Sequence, residues 1–130
     1  MILALAGCGH ASNQRSACAL PSEQPFAKIE LYFGEDIPGR GPLTDAEWSD
    51  FVARVISQQF PDGFTIVDGD GQWLDQRAGN IVHEKSKILI AAADPESDLA
   101  RRIGAVVDAY KKQFRQQSVG VMTSPVCGAF

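Results

Sequence analysis

FTIVDGDGQWLDQRAGNIVHEKSKILIAAA, Phe64 to Ala93, decides the fold. Phe64-Thr65-Ile66-Val67 begins as a strand of aromatic and β-branched residues. It passes through Asp68-Gly69-Asp70-Gly71 and resumes in Gln72-Trp73-Leu74, and glycines inside a strand suggest a bulge or kink. Asp75 to Gly79 has the composition of a turn. Asn80 to Ala92 reads as a long third strand. The run Ile88 to Ala93 is apolar on both faces, as a central strand would be. The two strands therefore form a hairpin.

A helix flanks the hairpin on each side. Upstream, Thr44-Asp45-Ala46-Glu47 is a capping box, in which each side chain satisfies the other residue's backbone N–H. Trp48, Phe51, Val52, Val55, Ile56 and Phe60 follow at helical spacing, and Pro61-Asp62-Gly63 stops the run. Asp50 and Arg54 stand in the favourable order for an ion pair along the outer face. Downstream, Asp94-Pro95 reads as a cap followed by the first helical residue. Glu96 and Asp98 then fall at the positive end of the helix, and Lys111, Lys112 and Arg115 at its negative end. Leu99, Ile103, Val106, Val107, Tyr110 and Phe114 make its apolar stripe, and Gly104 suggests close approach to the sheet.

Beyond the helices lie two more strands. Ala27 to Phe33 alternates, with Ala27, Ile29, Leu31 and Phe33 on one face and Lys28, Glu30 and Tyr32 on the other. Val119 to Thr123 is the last strand, and Ser124-Pro125 ends it. The order β-α-β-β-α-β predicts an α+β, ferredoxin-like sandwich: a four-stranded antiparallel sheet with two helices on one face. The first and third strands lie inside, the second and fourth at the edges.

This topology brings the start of the first strand beside the end of the fourth. Cys18 precedes the one and Cys127 follows the other, so the two cysteines meet at one corner and are expected to form a disulfide. Such a bond requires an oxidising compartment. The face without helices carries Lys28, Glu30 and Tyr32. From the third strand it takes either His83, Lys85 and Lys87 or Glu84 and Ser86, depending on a register that the sequence leaves open. Val67 and Leu89 are expected to add apolar patches there.

Composition sets outer bounds. At 130 residues the chain is one domain by size. Lys plus Arg number 12 and Asp plus Glu 16, so the net charge is 12 − 16 = −4, which argues against nucleic acid as a partner. No apolar run approaches the roughly 20 residues needed to span a bilayer as a helix.

The N-terminal Leu5-Ala6-Gly7-Cys8 resembles the lipobox of exported bacterial lipoproteins, whose cysteine accepts the lipid. The stretch before Cys8 is short and has no basic residue, so this reading expects a start codon farther upstream. His10 to Pro25 is polar enough for a tether. The expected division is a signal remnant and tether over 1–25 and a single α+β domain over 26–130. The expected location is extracytoplasmic, in the periplasm or cell envelope, with the membrane reached through lipid on Cys8.

Four segments together resemble one known family: LYFGEDIPGRGPLTDAEWSDFV (Leu31 to Val52), FPDGFTIVDGDGQW (Phe60 to Trp73), HEKSKILI (His83 to Ile90) and SPVCGAF (Ser124 to Phe130). The chain is similar over about Leu31 to Phe130 to a bacterial family catalogued as domain of unknown function 3574. Its small members often follow a secretion or lipoprotein signal. The resemblance supports the fold and the export reading and implies no activity, cofactor or catalytic residue.

Candidate binding residues are Tyr32, Arg40, Trp73, Glu84 and Lys85. Arg40 lies between Gly39 and Gly41 in the Gly34 to Leu43 loop, where it can fork onto a carboxylate or phosphate. The plainer reading is that it pairs with Glu35, Asp36 or Glu47 and pins the loop. Trp73 can stack on a ring or pack across the strand pair. Asp68-Gly69-Asp70-Gly71 begins like a calcium loop but lacks the later ligands, so no metal site is expected. In His83-Glu84-Lys85-Ser86-Lys87, Ser86 and its neighbouring lysines point to opposite faces, a poor arrangement for a nucleophile and its base. No cofactor is expected. The sequence thus points to a non-catalytic, lipid-anchored binding or interaction module. The alternative is a small dimeric enzyme or small-molecule carrier, using the 34–43 loop and the open sheet face, with subunits meeting through a sheet face or edge.

Overall fold

The structure, a computed structural model, describes residues 18–130. The lipidation reading of Cys8 lies outside the described residues. Strands β1 (Gln24–Gly34), β2 (Thr65–Asp75), β3 (Asn80–Ala93) and β4 (Gly120–Gly128) form one sheet in the order β2-β3-β1-β4. Every neighbouring pair is antiparallel. The helical layer comprises α1 (Asp45–Phe51), a π-helical turn (Val52–Ile56), the short α2 (Ser57–Gln59) and α3 (Leu99–Phe114). This is the ferredoxin-like arrangement expected from the strand order.

Alternation in β1 selects the core face. Ile29, Leu31 and Phe33 are fully buried, and Leu31 lies opposite Leu89 and Ile29 opposite Ala91 in β3. Phe33 meets the rings of Tyr110, Trp48 and Phe51 at centroid distances of 4.8, 5.4 and 6.3 Å, so both helical segments pack on the same side of the sheet. The π-helical turn lets Phe51 and Ile56, five positions apart, both reach the core, which a regular helix would not allow. The Tyr110 hydroxyl donates to the Gly34 carbonyl at 2.7 Å, closing the end of β1. Burial raises the Tyr110 phenol well above its ordinary range, helped by the nearby carboxylates of Glu35 and Glu84.

Both cysteines occupy the expected corner. Cys18 and Cys127 are bonded, with Cα atoms 5.6 Å apart. β1 starts at Gln24, just ahead of the expected domain boundary at residue 26, and a turn from Leu20 to Glu23 leads into it.

Five expectations are corrected. β2 runs without a bulge, its register unbroken from Thr65 opposite Ile90 to Asp75 opposite Asn80. Its glycines serve close approach instead: a Cβ at Gly69 would stand 3.0 Å from Ser86 Oγ and from Ile88. Leu89 faces the core, not the open side. The second long helix opens at Leu99 with Asp98 at its cap, not at Pro95. The Asp94 carboxylate accepts from the Glu96 N–H at 2.9 Å and its carbonyl from the Ser97 N–H at 3.1 Å, and this local turn outcompetes the helix. β4 continues through Pro125, which an edge strand tolerates because a missing N–H there costs no second partner.

Last, Gly104 makes no close approach, since a Cβ there would meet nothing within 4 Å. Gly104→Ala is therefore expected to stabilise the domain by about 0.4–1 kcal/mol through helix propensity and a less flexible unfolded chain. Thermal unfolding would show the rise in midpoint.

Candidate functional site

The register left open by the sequence is fixed by the pairing of Leu31 with Leu89. Opposed residues in an antiparallel pair share a face, so Ser86, Ile88 and Ile90 join Tyr32 and Glu30 on the open side. Lys85 and Lys87 go to the helix side.

The five candidate residues separate accordingly. Tyr32, Trp73 and Glu84 come together on the open face, where they line a hollow of about 270 Å³ with Ser86, Gln116 and Ser118. Three glycines, Gly34, Gly71 and Gly120, complete the lining. Gly71 lies opposite Glu84, Gly120 opposite Tyr32 and Gly34 opposite Ser86. A Cβ at Gly34 would overlap the Glu84 carboxylate, and one at Gly120 would press at 3.2 Å on the Tyr32 side chain. Glu84 Oε1 accepts the Asp36 N–H at 3.2 Å, which ties the carboxylate to the end of β1. Gln116 arrives from the chain after α3 and donates through Nε2 to the Asp36 carbonyl at 2.6 Å. Trp73, on the rim, is 51% exposed. Gln116 and Ser118 were absent from the sequence-derived set. The signal for the glycine of β2 was present in the alternation of Gly69, Gly71 and Trp73 on one face of β2.

Arg40 does not join this group. Its two terminal nitrogens donate to the two oxygens of Glu47 at 2.7 and 2.6 Å, the pinning arrangement rather than a free anion fork. The loop itself is packed down by buried Ile37 and Leu43 and held by the Glu35 N–H to the Lys85 carbonyl at 2.9 Å. Lys85 lies instead beside a second, helix-side hollow of about 280 Å³ with Glu35, Asp68 and Lys87. There Lys87 pairs with Asp68 at 2.6 Å and Glu35 at 3.4 Å. Its ammonium is raised above the ordinary lysine value by the bond to Asp68 foremost, and then by Glu35.

The Arg40–Glu47 pair gives a pH-dependent expectation. Glu47 is lowered from an ordinary 4.5 to about 2, first by Arg40 and then by the bonds from Thr44. A depressed carboxylate contributes stability that is complete above its unfolded-state value and lost as pH falls through its folded one. The melting difference between wild type and Glu47→Gln should therefore be nearly constant above pH 4.5, shrink below it, and level off once pH has fallen below about 2. A difference unchanged over that range would exclude the ionised pair as its source.

No curated protein matches the chain. Among solved structures it is similar to a phage SAM lyase in complex with S-methyl-5′-thioadenosine, with a TM-score of 0.60 and 18% identity over 81% of this chain and 90% of that one. A phage SAM lyase in its apo state gives a TM-score of 0.57 and 18% identity over 82% and 92%. At this identity the likeness is one of fold. The sequence match is of another kind: residues 28–130, nearly the whole described domain, fit the family described as protein of unknown function DUF3574, and the chain belongs to that family.

Proposed function

We propose that this protein is a non-catalytic binding module of the cell envelope. It is tethered to a membrane by lipid on Cys8 and takes a small ligand in the hollow on its open sheet face. The observation that carries this reading is the convergence of Tyr32, Trp73 and Glu84, from three different strands, beside the lining glycines. Rigid strands hold such a group in place without the ordering cost of a loop. Export is supported by the Cys18–Cys127 bond, which belongs to an oxidising compartment. Ser86 directs its hydroxyl toward the Gly69 carbonyl at 3.4 Å, and among the described residues no histidine, lysine or cysteine lines the hollow beside it. An acidic net charge of −4 supports a partner other than nucleic acid.

One observation favours an enzymatic alternative, namely the fold likeness to a SAM lyase. A dimer through the sheet face or edge belongs with that alternative. Incubating the purified protein with SAM separates the two. The binding module releases no S-methyl-5′-thioadenosine above the uncatalysed rate, whereas sustained release that depends on Glu84 would establish the enzyme. Mass spectrometry of the protein expressed from an extended reading frame tests the anchor. A lipidated N-terminal Cys8 is expected, and an uncleaved, unmodified Cys8 would remove it.

A further inference from the structure

We infer that the open-face hollow selects small organic cations, an ammonium attached to a flat apolar skeleton. The inference rests on the binding reading above and names its ligand class. The lining decides the sign of charge. Among the described residues, Glu84 is the only carboxylate of the lining, and no lysine, arginine or histidine belongs to it. Among the described residues the Glu84 carboxylate has one bond, Oε1 with the Asp36 N–H. Oε2 has no hydrogen-bond partner among them. A carboxylate with a free oxygen is an acceptor for an ammonium N–H, and such charge-assisted bonds are about twice as strong as neutral ones.

The skeleton follows from the rest of the lining. Trp73 and Tyr32 offer aromatic surface beside the carboxylate, and aromatic faces attract cations and stack on flat rings. Ser86, Ser118 and the Oε1 of Gln116, which has no hydrogen-bond partner among the described residues, are further acceptors around the same space. An anion would meet the Glu84 carboxylate with no cation among the described lining residues to offset it. The flat shape follows from the aromatic surfaces of Tyr32 and Trp73, and the glycines let the lining lie low: the Glu84 carboxylate rests over Gly34 and the Tyr32 side chain against Gly120, closer than a Cβ would allow. The volume of about 270 Å³ suits a molecule of roughly ten to fifteen heavy atoms.

The test titrates the full chain with three probes of one shape: phenethylammonium, phenylethanol and phenylacetate. Intrinsic tryptophan emission reports binding. Trp48 is 7% exposed and Trp73 is 51% exposed, so the response belongs to Trp73 and should disappear in Trp73→Phe. The ammonium probe is expected to give a saturable change. Glu84→Gln, which keeps an oxygen for the Asp36 N–H, should weaken it by roughly tenfold, the effect of losing one charge-assisted bond. Gly34→Ala, whose new methyl displaces the carboxylate, should weaken it as well. Phenylacetate or phenylethanol binding as tightly as the ammonium would overturn the cation class and leave the site. Undiminished ammonium binding by both variants would also overturn the class. No Trp73 response to any probe would overturn the site together with the class.

Discussion

Reduction of the Cys18–Cys127 bond is expected to cost the domain about 2–5 kcal/mol, against a typical total stability of about 5–15 kcal/mol. The bridge spans a sequence separation of 109 residues, so it closes nearly the whole described chain in the unfolded state. In the chain-entropy view a loop of that size gives stabilisation near the top of the usual range. The native state has little need of the bond to hold its strands. β1 and β4 are paired along their lengths, from Gln24 opposite Gly128 to Tyr32 opposite Gly120. The reduced protein is therefore expected to remain folded, with a lower denaturant midpoint and fraying confined to the corner near Cys18 and Cys127. The double variant Cys18→Ser, Cys127→Ser should reproduce the reduced form. Equal midpoints for oxidised and reduced protein would contradict a stabilisation that comes from restricting the unfolded chain.

Phe33→Ala should have a comparable or larger effect, about 3–5 kcal/mol, from lost burial and the cavity left behind. Phe33 is wholly inaccessible and contacts the rings of Trp48, Phe51 and Tyr110, which come from both helical segments. Tyr110 continues the chain of aromatic contacts to Phe114 at 4.9 Å, so the cavity would open at the centre of the core rather than at its margin. Collapse into it is restricted because Tyr110 is held by its bond to the Gly34 carbonyl. Equilibrium unfolding measures the loss directly. Phe33→Leu, which retains most of the volume, should lose less, and an equal loss for the two would argue against a packing origin.

Much of this architecture was legible because period-two and helical patterns are imposed by burial on one face. Ile29, Leu31 and Phe33 declared the inner side of β1, and the Thr44–Glu47 capping box fixed the start of α1. The meeting of Cys18 and Cys127 followed from strand order alone. The departures share a cause: local signals compete with context. Asp94-Pro95 carries the residues of a helix start, yet the Asp94 side chain closes a turn on Glu96 first. Gly69 and Gly71 resemble a bulge until Ser86 and Glu84 are seen crowding their α-carbons. Gly104 resembles a contact residue, and only three-dimensional packing reveals the empty space beside it.

The candidate site was half legible. Tyr32, Trp73 and Glu84 were identifiable from their strands, but whether Glu84 or Lys85 faced them depended on one residue of register. Cross-strand pairing of Leu31 with Leu89 resolves that, and it sends the two side chains to opposite faces. Arg40 was conspicuous between its glycines, yet its partner Glu47 lies across a loop whose path the sequence does not specify. Gln116 reaches the hollow only because the chain leaves α3 through Arg115 in a left-handed conformation, φ 52°. No local pattern marks that exit.

Backbone amide chemical shifts recorded while phenethylammonium is added test the open-face site most directly. Tyr32, Gly71, Trp73, Glu84 and Gly120 should move together along one saturation curve. The residues of the opposite end of the sheet, Phe26, Ala92 and Phe130, should stay still. Shifts confined to that far end, or scattered without saturation, would contradict a ligand site built on Glu84 and its neighbouring glycines.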